Sequence, residues 1–198
     1  AGRWRRCCRR AREERGARGL FLRFVVCVVV LDLVIVGHGQ PRERGVCGLQ
    51  IDSVNVVDRA HHVTLWSRFG EYDRAGFERL AYRRRVVFEY LSHVACFVAT
   101  RDLPIWRGCM AEIPARRRRD SSWVDDEREL IDSVEAAIAE RGPLGNADFE
   151  RPAHMGKGGG WWTWKPAMHA LDYLWKTGRI AVHSREHFQK RYAVLDRV

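Results

Sequence analysis

The sequence predicts a mainly helical α+β fold with short β-hairpins, closing in a winged helix-turn-helix. Two observations carry this prediction. In the last third, a helical repeat, a short helix, a second helix and two strand-like runs follow one another, which is the order of a winged helix. Before it, a β-rich stretch leads into two helical segments and a further strand. Three regions result: an atypical basic and apolar segment over 1–45, a first domain over 46–119, and a second over 120–198.

The elements run in order as follows. Residues 1–19 hold eight Arg and two Glu, a net +6 with nothing to build a core. Residues 20–36 are almost continuously apolar, and 17 residues is the short limit for a membrane span. Arg23 and Asp32 interrupt the run, and each would cost about 2.5–3.5 kcal/mol at a bilayer centre. Its many valines suit a buried strand better than a soluble helix. The expectation is a buried element, or a beginning that is not the natural protein's; a positive-inside anchor is the alternative.

Residues 46–57 read as β-rich, with Gln50, Asp52 and Asn55 interspersed. Residues 59–68 and 72–82 read as helices split by Phe69-Gly70-Glu71, and residues 83–90 as a strand. Residues 103–112 read as a helix with Pro104 in its first turn. The arginine run 116–119 reads as a solvated linker or the start of a helix. Residues 127–141 carry Leu130, Ile131, Val134, Ala137 and Ile138 at helical spacing, stopped by Gly142-Pro143. Asn146 is expected to cap a short helix through Glu150. After the Gly-rich loop 156–160, Thr163 is expected to cap a helix over 164–176, with an apolar stripe of Trp164, Met168, Leu171 and Trp175. Gly178 ends that helix, and residues 179–183 and 188–194 form strands around a polar turn.

The chain carries a net charge of +10, which favours a polyanionic partner, nucleic acid or an acidic membrane surface. The first 19 residues hold +6 of it, leaving +4 for the rest, so local clusters must carry any argument for DNA. At 46% hydrophobic residues, wholesale disorder is excluded. Six cysteines, Cys7, Cys8, Cys27, Cys47, Cys96 and Cys109, include no C-x-x-C pair and none at zinc-finger spacing from a His, which reads as reduced thiols. No secretory signal is recognisable.

Several motifs bear on chemistry. Trp161-Trp162-Thr163-Trp164-Lys165-Pro166 opens the second helix of the winged unit. Trp161 and Trp162 could stack on or wedge between bases, with Lys157 and Lys165 on phosphates; core packing is the competing role for such tryptophans. Lys157 lacks Walker A spacing, which excludes a phosphate-cradling triphosphatase loop. His183-Ser184-Arg185-Glu186-His187 matches H-x-x-E-H but falls in a turn between strands, where the two imidazoles do not share a helical face. His61 and His62 are adjacent in a helix and point about 100° apart, so one buried and one exposed is expected. In Gln50-Ile51-Asp52, a strand would place the amide and the carboxylate on one side. A carboxylate can activate water or stabilise an oxocarbenium ion while an amide orients water or substrate, as glycosidic hydrolysis requires. On spacing alone a structural polar pair is the stronger reading.

The segment from Gly48 through Gln50, Asp52 and Val57, followed by Arg59-Ala60-His61-His62 and Leu65-Trp66-Ser67-Arg68, resembles the YcaQ/AlkX-like DNA glycosylases, winged-helix relatives of AlkZ-type and crosslink-repair enzymes. Tyr72-Asp73, Phe88-Glu89-Tyr90 and His93 resemble the middle of that family. Gly160 through Pro166, Thr177-Gly178, and Phe188, Tyr192 and Leu195 to Val198 resemble its later segments. The resemblance covers residues 46–198. It implies tandem winged-helix motifs and a monofunctional glycosylase that hydrolyses the N-glycosidic bond of alkylated purines, including interstrand crosslinks. By that resemblance Asp52 positions or activates water and stabilises the sugar cation, and Gln50 orients water or nucleotide. Asn55 and His93 join Lys157, Trp161, Trp162 and Lys165 as candidate DNA-binding residues. The implied partner is double-stranded DNA, bound by a monomer without metal or cofactor, in the cytoplasm at the nucleoid. Three departures stand out: family chains lead into the motif with soluble amphipathic helices, they continue past the position of Val198, which makes this chain an expected fragment, and Val94 stands where an acidic residue is expected. The alternatives are a non-catalytic winged-helix DNA-binding protein, membrane-tethered or not, and an inactive fragment.

Overall fold

A computed structural model describes residues 48–92, 94–150 and 165–198. The apolar run 20–36, Cys7, Cys8, Cys27 and Cys47, His93, and the loop and tryptophan cluster bearing Lys157, Trp161, Trp162, Thr163 and Trp164 lie outside the described residues.

Strand β1 (Leu49–Gln50) leads through an irregular segment to helices α1 (Ala60–Phe69) and α2 (Arg74–Tyr82). The Asp73 carboxylate caps α2 by accepting from the Gly76 amide at 2.9 Å. Strands β2 (Val87–Leu91) and β3 (Ala95–Ala99) form an antiparallel pair, and β1 pairs antiparallel with β3, giving the order β1-β3-β2. Gly48 permits that approach: a Cβ there would stand 2.6 Å from the Cβ of Cys96. The predicted strand over 83–90 begins late because Arg85 takes a positive φ of 52°, and the Val86 amide is still donating to the Leu80 carbonyl of α2.

Helix α3 (Leu103–Asp120) is longer than predicted and absorbs the arginine run. Arg117, Arg118 and Arg119 occupy its last turn, where cations face the unpaired carbonyls of a helix C-terminus. They are therefore a helix end and neither a linker nor a helix start. A short α4 (Trp123–Asp126) and α5 (Arg128–Arg141) follow, with Ile131, Val134 and Ile138 buried and Gly142 ending α5 at φ 90°. Asn146 lies inside a 3-10 turn (Asn146–Asp148) and does not cap it; the Asp148 carboxylate accepts from the Gly145 amide at 2.7 Å instead.

Helix α6 (Pro166–Lys176) is stopped by Gly178 at φ 71°. Its buried face is Ala167, Ala170, Leu171, Leu174 and Trp175, with Met168 only partly buried, so the predicted stripe is out of phase at that position. Strands β4 (Ile180–Glu186) and β5 (Gln189–Val194) close a hairpin through His187 and Phe188, both at positive φ, and a register shift separates Val182 from Ser184.

Two apolar clusters hold these parts. The smaller gathers Leu49, Ile51, Leu65, Phe77 and Phe97 beneath α1 and α2. The larger joins Phe88, Tyr90 and Trp106 from the first predicted domain to Ile138, Leu171 and Ile180 from the second. The boundary near residue 119 is thus bridged by one shared core. Among the described residues, no helix is long and apolar enough to cross a membrane.

Candidate active site

The first site element is the end of β1. Leu49 and Ile51 are buried, Gln50 is exposed and Asp52 is half-buried, the alternation of a strand with one covered face. The Ile51 amide extends the ladder one step by donating to the Ala95 carbonyl at 2.8 Å. Gln50 and Asp52 therefore share the outer side of the sheet edge. The predicted strand over 46–57 ends there for a local reason: the Asp52 carboxylate accepts from the Val54 amide at 2.9 Å, an Asx turn that carries the chain off the sheet. Residues 53–57 are exposed, with Val56 and Val57 about nine-tenths accessible, and Asn55 lies among them.

Arg59 returns the loop to the body. Its guanidinium donates to the Ser53 carbonyl at 3.2 Å and lies 3.5 Å from the ring centroid of Phe188 at the tip of the β4–β5 hairpin. Asp58 accepts from the Arg59 amide and pairs with Arg74. The Arg59 amide, then Arg74, holds the Asp58 carboxyl below its ordinary range.

Behind the loop stand His61 and His62, their ring centroids 4.1 Å apart. His61 is buried among Phe77, Phe97 and Phe188. Burial, reinforced by His62 and the nearby arginines, pushes it down to about 4. His62 is half-buried rather than exposed, and its Nδ1 meets the Tyr72 hydroxyl at 2.5 Å.

Beneath the hairpin tip lies a second polar centre. Glu89 is fully buried in β2 and receives a bidentate Arg185 guanidinium at 2.8 and 2.6 Å and the Tyr82 hydroxyl at 2.6 Å. Burial opposes the Arg185 charge, but the Glu89 hydrogen bonds outweigh it and hold its pKa up. Burial and the Glu89 carboxylate push the Tyr82 hydroxyl up, so it stays a donor. Lys190, on β5, sets its Nζ 3.4 Å from the Trp175 ring centroid, and burial pushes that amine down to about 8.

Sequence reasoning missed Glu89, Arg185, Phe188 and Lys190 as a group. One signal was available: Glu89 is a lone carboxylate inside Val-Phe-Glu-Tyr-Leu, and a charge in so apolar a strand needs a partner. Its partner lies 96 residues away, which no local pattern reveals. Of the predicted DNA-binding residues, Lys165 donates its amine to the carbonyls of Phe149 and Asn146, at 2.9 and 3.3 Å. His183 sits in β4 and His187 in the turn, so H-x-x-E-H lies on no helix. No cluster of three or more His, Cys, Asp or Glu able to hold a metal is found among the described residues.

The model of a protein family described as DNA glycosylase AlkZ-like matches residues 44–198. No solved structure matches the chain.

Proposed function

We propose that this chain, which belongs to the AlkZ-like family of DNA glycosylases, hydrolyses the N-glycosidic bond of alkylated purines in double-stranded DNA, interstrand crosslinks included. The observation that carries this reading is the common side of Gln50 and Asp52 at the open end of β1, inside the matched segment. Departure of an alkylated purine leaves positive charge on the sugar. A carboxylate next to C1′ stabilises that charge and accepts the proton of the attacking water; an amide two residues away orients the water. Asp52 is half-buried, so it is open to substrate, and its carboxylate accepts from the Val54 amide. Its reaction needs no metal.

The scaffold reading is tandem winged helices over 46–119 and 120–198. Support comes from the sheet order β1-β3-β2 around α1 and α2, and from the succession α5, turn, α6, hairpin. Asn55, exposed beside Asp52, contacts DNA in this reading, and His93, Lys157, Trp161, Trp162 and Lys165 extend the interface. The protein acts as a monomer at the nucleoid.

The test is mass-spectrometric detection of free N7-alkylguanine after incubation with alkylated duplex DNA. The wild-type chain is expected to release the base and Asp52→Ala is not. Salt-dependent DNA binding with no release by the wild type would replace this reading with a non-catalytic DNA-binding protein.

A further inference from the structure

The hairpin tip is built against its own backbone preference. His187 and Phe188 hold φ values of 47° and 67°, the two positive φ angles of a tight two-residue turn. Asn-Gly adopts that geometry with least strain, whereas a bulky aromatic there is strained. Such strain persists where surrounding structure enforces it, and it gathers at functional positions. The enforcing contacts are visible. Arg185 donates to the Phe188 carbonyl at 2.7 Å and sets its guanidinium 4.2 Å from the Phe188 ring centroid, while Glu89 anchors that guanidinium from the sheet. The same ring carries Arg59 at 3.5 Å, and Arg59 holds the Ser53 carbonyl.

From this continuous path we infer that Phe188 is a positioning residue, a strut that fixes the Asp52 loop through Arg59. The inference rests on Asp52 being the catalytic carboxylate. Among the described residues loop 53–57 otherwise has little to hold it, since its side chains are exposed and the Asp52 carboxylate accepts from the Val54 amide two residues on. A loop that carries a catalytic group and lacks packing of its own needs an outside support, because a displacement near 1 Å costs about a hundredfold in rate. Phe188 touches no reacting atom in this role and acts through the position of the loop, so its loss should persist in the rate at saturating DNA.

Backbone preference makes the test discriminating. Phe188→Gly removes the ring and relieves the positive φ, a gain set against the packing lost around His61, so its rate is read well below its own unfolding transition. Its single-turnover rate of base release at saturating DNA should nonetheless fall about ten- to a hundredfold. Phe188→Tyr, which keeps the ring, should restore the rate. Arg59→Leu interrupts the same path without touching the turn and carries the test if the glycine variant does not fold; its rate loss should match, and the double variant should lose no more than either single one. Wild-type rates in Phe188→Gly or Arg59→Leu overturn the strut, as does a rate loss that saturating DNA abolishes. Asp52→Asn is run alongside. If it abolishes release while Phe188→Gly does not slow it, the strut alone fails; if Asp52→Asn releases base normally, the catalytic assignment fails and takes the strut with it.

Discussion

The Asp52 loop and the β4–β5 hairpin tip meet through one stacked pair, Arg59 on Phe188, yet they are made in opposite ways. The loop exposes Val54, Val56 and Val57 and is tied down by few bonds. The hairpin is pinned from several directions: Arg185 to Glu89, Arg85 to the His183 carbonyl at 2.8 Å, and Lys190 over Trp175. Near its base, the Trp175 indole N–H donates to the Glu89 carbonyl at 3.2 Å and the Tyr90 hydroxyl to the Lys176 carbonyl at 2.7 Å. Function on a thin loop beside a rigid support is a common division of labour, since a loop can meet a substrate while the support keeps it in register. Here the support is a hairpin distant in sequence. The stability of the molecule and the chemistry of its site should therefore respond to different substitutions.

The contrast is sharpest at the buried ion pair. Arg185→Met leaves the Glu89 carboxylate buried without its partner and should destabilise the protein by about 3–5 kcal/mol in denaturant unfolding. Adding Glu89→Leu should recover most of that loss, because two apolar side chains replace a desolvated pair at little net cost. A small effect of Arg185→Met alone would mean that the hairpin is not anchored through Glu89.

Acid should weaken the support through His61. Burial pushes it down to about 4, whereas in an unfolded chain it titrates near 6.5. Between these values the unfolded state holds a proton that the folded state lacks, so stability falls as pH falls. Relative to pH 7.5, about 2 kcal/mol should be lost from this group by pH 5. His61→Phe should remove that component of the pH dependence, measured by thermal melts across the range. An unchanged slope would place the acid sensitivity elsewhere.

The loop should behave in the reverse sense. Val57→Ser removes an almost fully exposed side chain and should change stability by less than about 0.5 kcal/mol. It should weaken binding to alkylated duplex DNA if these valines face the substrate. A variant that melts early would show that the loop is packed rather than presented.

What could be read from sequence follows the reach of the forces involved. Helices α1, α2 and α5 were legible from local signals: the Phe69-Gly70-Glu71 break between the first two, and the apolar spacing of the third with its stop at Gly142. The hairpin was legible from two β-rich runs and a short turn. Asp52 and Gln50 were recognisable as a same-side pair because strand alternation is a local rule. The end of β1 at Gln50 was not, since it depends on the Asp52 carboxylate choosing its neighbour's amide. The Met168 phase error has a different cause: α6 turns the Ala167–Ala170–Leu171–Leu174 face to the core, and small alanines on a packed face give a weak periodic signal. Glu89 with Arg185, and Phe188 on Arg59, bring together residues far apart in the described chain, and only the tertiary structure pairs them.

The most direct measurement is single-turnover release of N7-alkylguanine from an alkylated duplex by the wild-type chain and by Asp52→Asn, with melting temperatures and DNA affinities taken on the same samples. The wild type should release the base and Asp52→Asn should lose release almost completely, at matching stability and affinity. Equal release by both proteins would contradict a catalytic Asp52.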